Sequence, residues 1–444
     1  MKVRLNDLRF AIHVLCVLVS ATASAPAQSA DAAPHPIDLP TALRLAGAQN
    51  LDVQIARERL REARANHEQA QMQFFPWISP GLGYKRHDGN IQDVTGNVFD
   101  ASKQSYTLGA SLNAQLDLGD AIYKSLVACQ LARAAGEALE ARRQETVFGA
   151  ATGYFELVRA KAAVGVAREA LRISQEYAAQ VQRAVEAGIA FKGDVFRAQV
   201  QAGKNEIALR QAVEQQRIAG ARLAQILRLQ PATELAPEEA DLAPLTLEEA
   251  NLALNSLMTR ALASRPELRQ FGAQALATKK ARDGAHYGPM IPTVGAQAYF
   301  GGLGGGRNDS LGNFDDTQDY LLGLSWKIGP GGLLDRSRIR AAEARAQTST
   351  LELEKVRDEV ARQVVEAHVR VHSLSDQLAL TRRALETAEQ LFKLTRDRKQ
   401  FGVGAVLEDV QAEQEMTRAR RDYLDAVAEF NKAQYALSRA VGKL

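Results

Sequence analysis

The stretch AGIAFKGDVFRAQ, Ala187 to Gln199, stops one helical pattern at Gly188 and restarts another at Asp194 and Val195. Much later FGVGAVLEDVQAE, Phe401 to Glu413, does the same with Gly402, then Glu408 and Asp409. Gly188 pairs with Gly402, Asp194 with Glu408 and Ala198 with Ala412 at one constant offset (402 − 188 = 214). Glycine is the residue that ends a helix most readily, because it enters the left-handed region without steric cost. The same stop, made twice at one offset, points to a chain built from two copies of one unit.

The offset holds well beyond the turn. Tyr106 maps to Tyr320, Gly109 to Gly323, Ser111 to Ser325, Glu145 to Glu359 and Leu223 to Leu437. We therefore expect a first repeat over 38–230, a Pro-punctuated acidic linker over 231–246 and a second repeat over 247–444. Each repeat reads medium helix, strand, loop, strand, very long helix, turn, medium helix. In the second, Val356, Val360, Ala367, Val371, Leu374, Leu378, Leu385, Ala388 and Phe392 recur at coiled-coil spacing with no proline between them. The spacing predicts rods near 120–187 and 335–401, each about 100 Å long at 1.5 Å per residue. The helices expected over 40–75, 194–229, 247–287 and 408–441 are roughly half as long, so two end to end match one rod.

Composition narrows the class. The 444 residues carry 55 basic and 52 acidic side chains, a net charge of +3, and no basic stripe of the kind nucleic acid requires. Lys2, Arg4 and Arg9, the apolar FAIHVLCVLVS (10–20) and small residues up to Ala27 read as an export signal over 1–27. Cys16 lies inside that apolar run, which leaves Cys129 alone and no internal disulfide.

Four short segments alternate with period two: WISPGLGYK (77–85), YTLGASLNAQLD (106–117), PTVGAQAYF (292–300) and YLLGLSWKIG (320–329). Leu108 and Leu112 in the second, and Leu322, Leu324 and Trp326 in the fourth, share an apolar face opposite polar residues and glycine. One apolar face over about ten residues with aromatics near the ends is the pattern of an outer-membrane barrel strand. The polar segments 86–103 and 301–319 read as long extracellular loops. Four strands do not close a barrel, and open edges are not tolerated in hydrocarbon, so other copies of the chain must complete it.

At this point the sequence resembles the outer membrane efflux protein family, the TolC-like export ducts. The resemblance is carried by the duplicated halves, the opening LPTALRLAGAQN (39–50), the two glycine turns, and the strand entries FFPWISP (74–80) and YGPMIP (287–292). It implies an α+β membrane protein. A homotrimer would form a 12-stranded β-barrel, four strands per protomer, in the outer membrane, continuing into a long α-helical coiled-coil barrel through the periplasm. By position, Gly188, Asp194, Val195, Gly402, Glu408, Asp409 and Gln411 would form the periplasmic tip, where the pore narrows and an adaptor docks. Asp194 and Glu408 match the family's acidic tip position, and Gln411 falls where some relatives carry a second acid. Asp194 and Asp409 are also suited to capping the returning helices.

The resemblance further implies a passive exit duct of a tripartite efflux or type I secretion system. Its partners would be a periplasmic adaptor (membrane fusion) protein, an inner-membrane pump and outer-membrane lipid, with no cofactor. The alternative is a soluble periplasmic coiled-coil adaptor or structural protein. His368 and His372 share a helix face at i, i+4, but no third ligand or central glutamate accompanies them, so no metal site is expected. GGLGGGRND (301–309) lacks the Lys-Ser/Thr ending of a phosphate loop. No nucleophile–base set appears, so no catalysis is expected.

Overall fold

The computed structural model describes residues 35–230, 232–239, 242–307, 312–400 and 406–444. The expected leader over 1–27 and Gly402 lie outside the described residues. In chain order the elements are β1 (His35–Ile37), α1 (Leu39–Gln49), α2 (Leu51–Met72), β2 (Trp77–Gln92), β3 (Val98–Asp117), α3 (Leu118–Glu186) and α4 (Lys192–Ile226). They continue with β4 (Leu235–Pro237), α5 (Leu254–Ser264), α6 (Pro266–Tyr287), β5 (Thr293–Arg307), β6 (Asp315–Ser325), α7 (Arg336–Gln400) and α8 (Val406–Val441).

The two rods are α3, 69 residues, and α7, 65 residues, about 104 and 98 Å at 1.5 Å per residue. α3 packs against α1, α2, α4, α6 and α8, and α7 against α5, α6 and α8. The coiled-coil positions of α7 behave as their spacing predicts: Val360, Val371 and Leu374 are buried, with Val356, Ala367 and Leu378 packed against them. Among the described residues no helix is long and apolar enough to cross a membrane.

The core is concentrated midway along the rods. Ala150, Ala151, Tyr154, Phe155, Leu157 and Val158 of α3 meet Ala42 and Ala46 of α1, Leu223 and Ala224 of α4, and Val427 and Ala428 of α8. Here each repeat breaks its shorter rod at a knee. Asn50 separates α1 from α2: its Oδ1 accepts from Asp52 N (2.8 Å) and its Nδ2 donates to Ile226 O at the end of α4 (2.9 Å). The second repeat breaks at Pro266, and Ser264 Oγ donates to Val441 O at the end of α8 (2.5 Å). Each half thus ties its bend to the last turn of its own final helix. The chain joining the repeats is strapped down rather than loose. β4 pairs in parallel with β1, and Asn431 accepts from Leu245 N (2.8 Å) while donating to Ala243 O (2.9 Å).

The other four strands form one antiparallel sheet in the order β2-β3-β5-β6 at one end of the rods. The strand-to-rod junction is tight. Asp117 caps α3 through Asp120 N (3.1 Å), and a Cβ on the buried Gly119 would lie 2.1 Å from Gly288 O, so only glycine fits there.

Candidate membrane face and periplasmic tip

Directly paired residues of an antiparallel sheet point to the same face, so the register assigns the faces. Leu116, Val294 and Leu324 stand in one row. Ala114, Ala296 and Leu322 follow, then Ile78, Leu112, Ala298 and Tyr320, then Leu82 and Leu108, and finally Tyr84 and Tyr106. Leu82 is 83% exposed and Leu322 78%, so this apolar surface covers nothing within the protomer. The opposite face carries Ser79, Ser111, Asn113, Gln297 and Thr317, with glycines between them. From Leu116 to Tyr106 is ten residue steps of β3, about 33 Å along the strand at 3.3 Å per residue. Strands tilted by roughly 40° turn that into a height of about 25 Å, the thickness of the apolar band on outer-membrane barrels.

Two strand expectations are corrected. β6 ends at Ser325, because its partner β5 begins at Thr293, so Trp326 lies just beyond it. The Trp326 indole donates to Met290 O (3.3 Å) at the helix-side edge of the band, where amphipathic aromatics sit. The described residues of the segments 86–103 and 301–319, expected as long loops, are mostly strand. β2 and β3 stay paired up to Gln92 and Val98, and β5 runs to Arg307. Above the apolar band both faces meet water, so alternation stops while the backbone ladder continues.

At the other end, α3 closes with Gly188 at φ +74°. Gly188 N donates to Val185 O and Ile189 N to Ala184 O, both 2.9 Å, the paired hydrogen bonds of a Schellman stop. The chain re-enters α4 through Phe191, which makes no side-chain cap. Asp194 is therefore not the cap. It sits in the first turn, favourable to the helix dipole, and binds Arg197 (3.2 Å).

The 214 offset sets Val195 against Asp409, and both are buried, 5% and 8% exposed. Asp409 thus fills a core position that the first repeat gives to valine. Its carboxylate accepts from the Tyr177 hydroxyl of α3, and burial together with Asp409's charge pushes that phenol above its usual range. Glu408, one residue earlier, is exposed and pairs with Arg398 (3.8 Å); Gln411 is also exposed. The expected tip residues therefore divide: Glu408 is exposed and Asp194 half-buried, whereas Val195 and Asp409 face inward.

Pattern reading did not single out the polar node one turn higher. Glu413 is buried, its Oε1 accepting from Thr417 Oγ1 (3.1 Å) and Asn205 Nδ2 (3.4 Å) and its Oε2 from Gln201 Nε2 (3.4 Å). Asn205 also donates to Ala170 O (3.1 Å) and Gln414 to Gln201 (2.6 Å), so the node joins α3, α4 and α8. Burial raises the Glu413 carboxyl above its ordinary range. A cavity of about 50 Å³ beside it is lined by Tyr177, Phe392, Asp409 and Val410. The only prior signal was a Glu at a position where the first repeat has Gln199. Exposed Ile189, Phe191 and Phe196 surround the turn. His368 and His372 meet edge to face, ring centroids 4.5 Å apart. No group of three or more possible metal ligands occurs among the described residues.

The profile of the outer membrane efflux protein family matches residues 42–227 and 257–443. Protein CyaE of Bordetella pertussis is 28% identical over 378 residues, covering 82% of this chain and 73% of that protein. The structure superposes on the outer-membrane channel OprN with a TM-score of 0.79 at 21% identity, covering 91% of this chain and 90% of OprN. For the outer membrane protein VceC of Vibrio cholerae the TM-score is 0.76 at 18% identity, with 91% and 96% covered. With both repeats matched in order, the chain belongs to the outer membrane efflux protein family.

Proposed function

We propose that this outer-membrane duct works as a homotrimer, passing substrates from an inner-membrane pump and a periplasmic adaptor to the cell exterior. The observation that carries the reading is the sheet. Four strands with a membrane-high apolar face leave β2 and β6 unpaired at its two edges, and hydrocarbon does not tolerate unpaired backbone. Pairing β6 of one copy with β2 of the next closes 12 strands, and the rods attached below continue the wall as a tunnel through the periplasm. Family and fold are those of channels, and we read the chain as passive, with no catalysis of its own.

The tip is the docking end in this reading. Gly188 and its exposed neighbours Ile189 and Phe191 would meet the adaptor, and Asp194 and Glu408 would ring the narrow mouth. Gln411 lies on the same exposed surface, while Val195 and Asp409 hold the turn from inside. A photo-crosslinking residue placed at Ile189 should capture the periplasmic adaptor in living cells, and one placed at Leu82 should not. Capture from Leu82 alone would reverse the assignment of the two ends.

A further inference from the structure

The β2–β3 hairpin continues past the apolar band, and there its two faces differ in charge. On the face continuous with Leu108 and Tyr106, Asp88 accepts from Arg86 and Ser102, both at 2.6 Å, and the register adds Asp100. Asp93 is absorbed by the turn, accepting from Thr95 N (3.0 Å) and Asn97 N (2.8 Å). The opposite face carries Lys85, His87, Lys103 and Arg307. His87 stands opposite Lys103 and Lys103 opposite Arg307, so three basic side chains adjoin across β2, β3 and β5. Lys85 lies one pleat below on β2.

Directly opposed like charges cost a sheet stability, and nothing among the described residues offsets this row. The side chains of Lys103 and Arg307 make no ion pair or hydrogen bond with the described residues, and His87 Nε2 is buried without a partner. The acids sharing this face, Asp315 and Asp319, lie on β6 and deeper in the band, opposite Leu303 and Tyr299. In the trimeric barrel proposed above, on which this inference rests, the face lines the lumen. The row then sits at the outer mouth and recurs three times.

We propose that Lys85, Lys103 and Arg307 form an anion-binding belt at the outer mouth, taking the phosphoryl or sulfate groups of soluble polyanions in the lumen. Guanidinium matches such oxyanions with a planar fork, and ammonium adds point charge. A cleft lined by one sign of charge also concentrates counter-ions. The duct would then carry opposite potentials at its ends, with Asp194 and Glu408 at the tip and the belt at the exit.

The test is side-resolved block by tripolyphosphate of the full-length channel in neutral phosphatidylcholine bilayers. Tripolyphosphate added at the outer mouth should block the current, and less so at high salt. The variant Lys85→Gln/Lys103→Gln/Arg307→Gln should need about tenfold more or higher for equal block, since several charge-assisted contacts are lost. Lys103→Gln alone should shift block in the same direction, whereas Arg86→Gln/Asp88→Asn, on the other face, should not. Wild-type conductance without block, or block unchanged in the triple variant, overturns the belt while leaving the duct. Absent wild-type block, with copurifying lipopolysaccharide lost in the triple variant, gives the row to a lipid headgroup and overturns the lumen site. A wild-type protein that opens no channel overturns the barrel reading and the belt with it.

Discussion

Leu112 stands in the middle row of the apolar band, whereas Leu324 stands in the row nearest the helices. A charge on the lipid face costs most at mid-bilayer and little near the interface. Leu112→Arg should therefore weaken insertion by about 2–4 kcal/mol and Leu324→Arg by about 0–1 kcal/mol. Ser111→Arg, facing the other way, should insert normally. Folding titrations into lipid vesicles check the order; equal effects at Leu112 and Ser111 would mean that the faces are misassigned. The tip acids follow a similar logic. Asp194 and Glu408 are each partnered by an arginine, at 3.2 and 3.8 Å; Glu408 is exposed and Asp194 half-buried. Crowded in the threefold symmetry proposed above, they would favour cations. Asp194→Asn with Glu408→Gln should lower cation selectivity, read as a smaller reversal potential in a salt gradient, with assembly intact. An unchanged reversal potential removes the acids from the pore.

Among the elements, the node joining α3, α4 and α8 should respond to pH. Burial holds the Glu413 carboxyl above its ordinary range, so the folded state binds that proton more tightly than the unfolded chain does. Its contribution is fully present below the ordinary glutamate range and is lost as pH rises through the raised value. Hydrogen-exchange protection around Gln201–Asn205 and Glu413–Thr417, corrected for intrinsic rates, should fall with rising pH. Glu413→Gln should keep it level. Protection that grows with pH would contradict the node's assigned role.

The elements also show what pattern can and cannot reveal. The rods, the glycine stops and the apolar strand faces were legible because each rests on periodicity or on a backbone requirement. The hairpin extensions were not, since a ladder above the membrane has water on both faces and no alternation. The knee at Asn50 was hidden because its cause is a long-range bond to Ile226. The burial of Asp409 was hidden because a polar residue at a core position is explained only by its partner, Tyr177, supplied by another helix.

At the scale of the whole molecule, the chain separates its surfaces by distance. An apolar face about 25 Å high sits at one end of rods about 100 Å long, a helix turn with exposed Ile189 and Phe191 at the other, and the protein's core midway. The duplication supplies two strand pairs and two rods but leaves both sheet edges open. The protomer is therefore incomplete as a membrane object, and everything proposed for the tip and the mouth depends on closure by further copies. The decisive measurement is the mass of the detergent-solubilised protein by sedimentation or light scattering, with circular dichroism on the same sample. A single species of three protomers with its β signal intact is expected; a monodisperse, fully folded monomer would overturn the trimeric barrel.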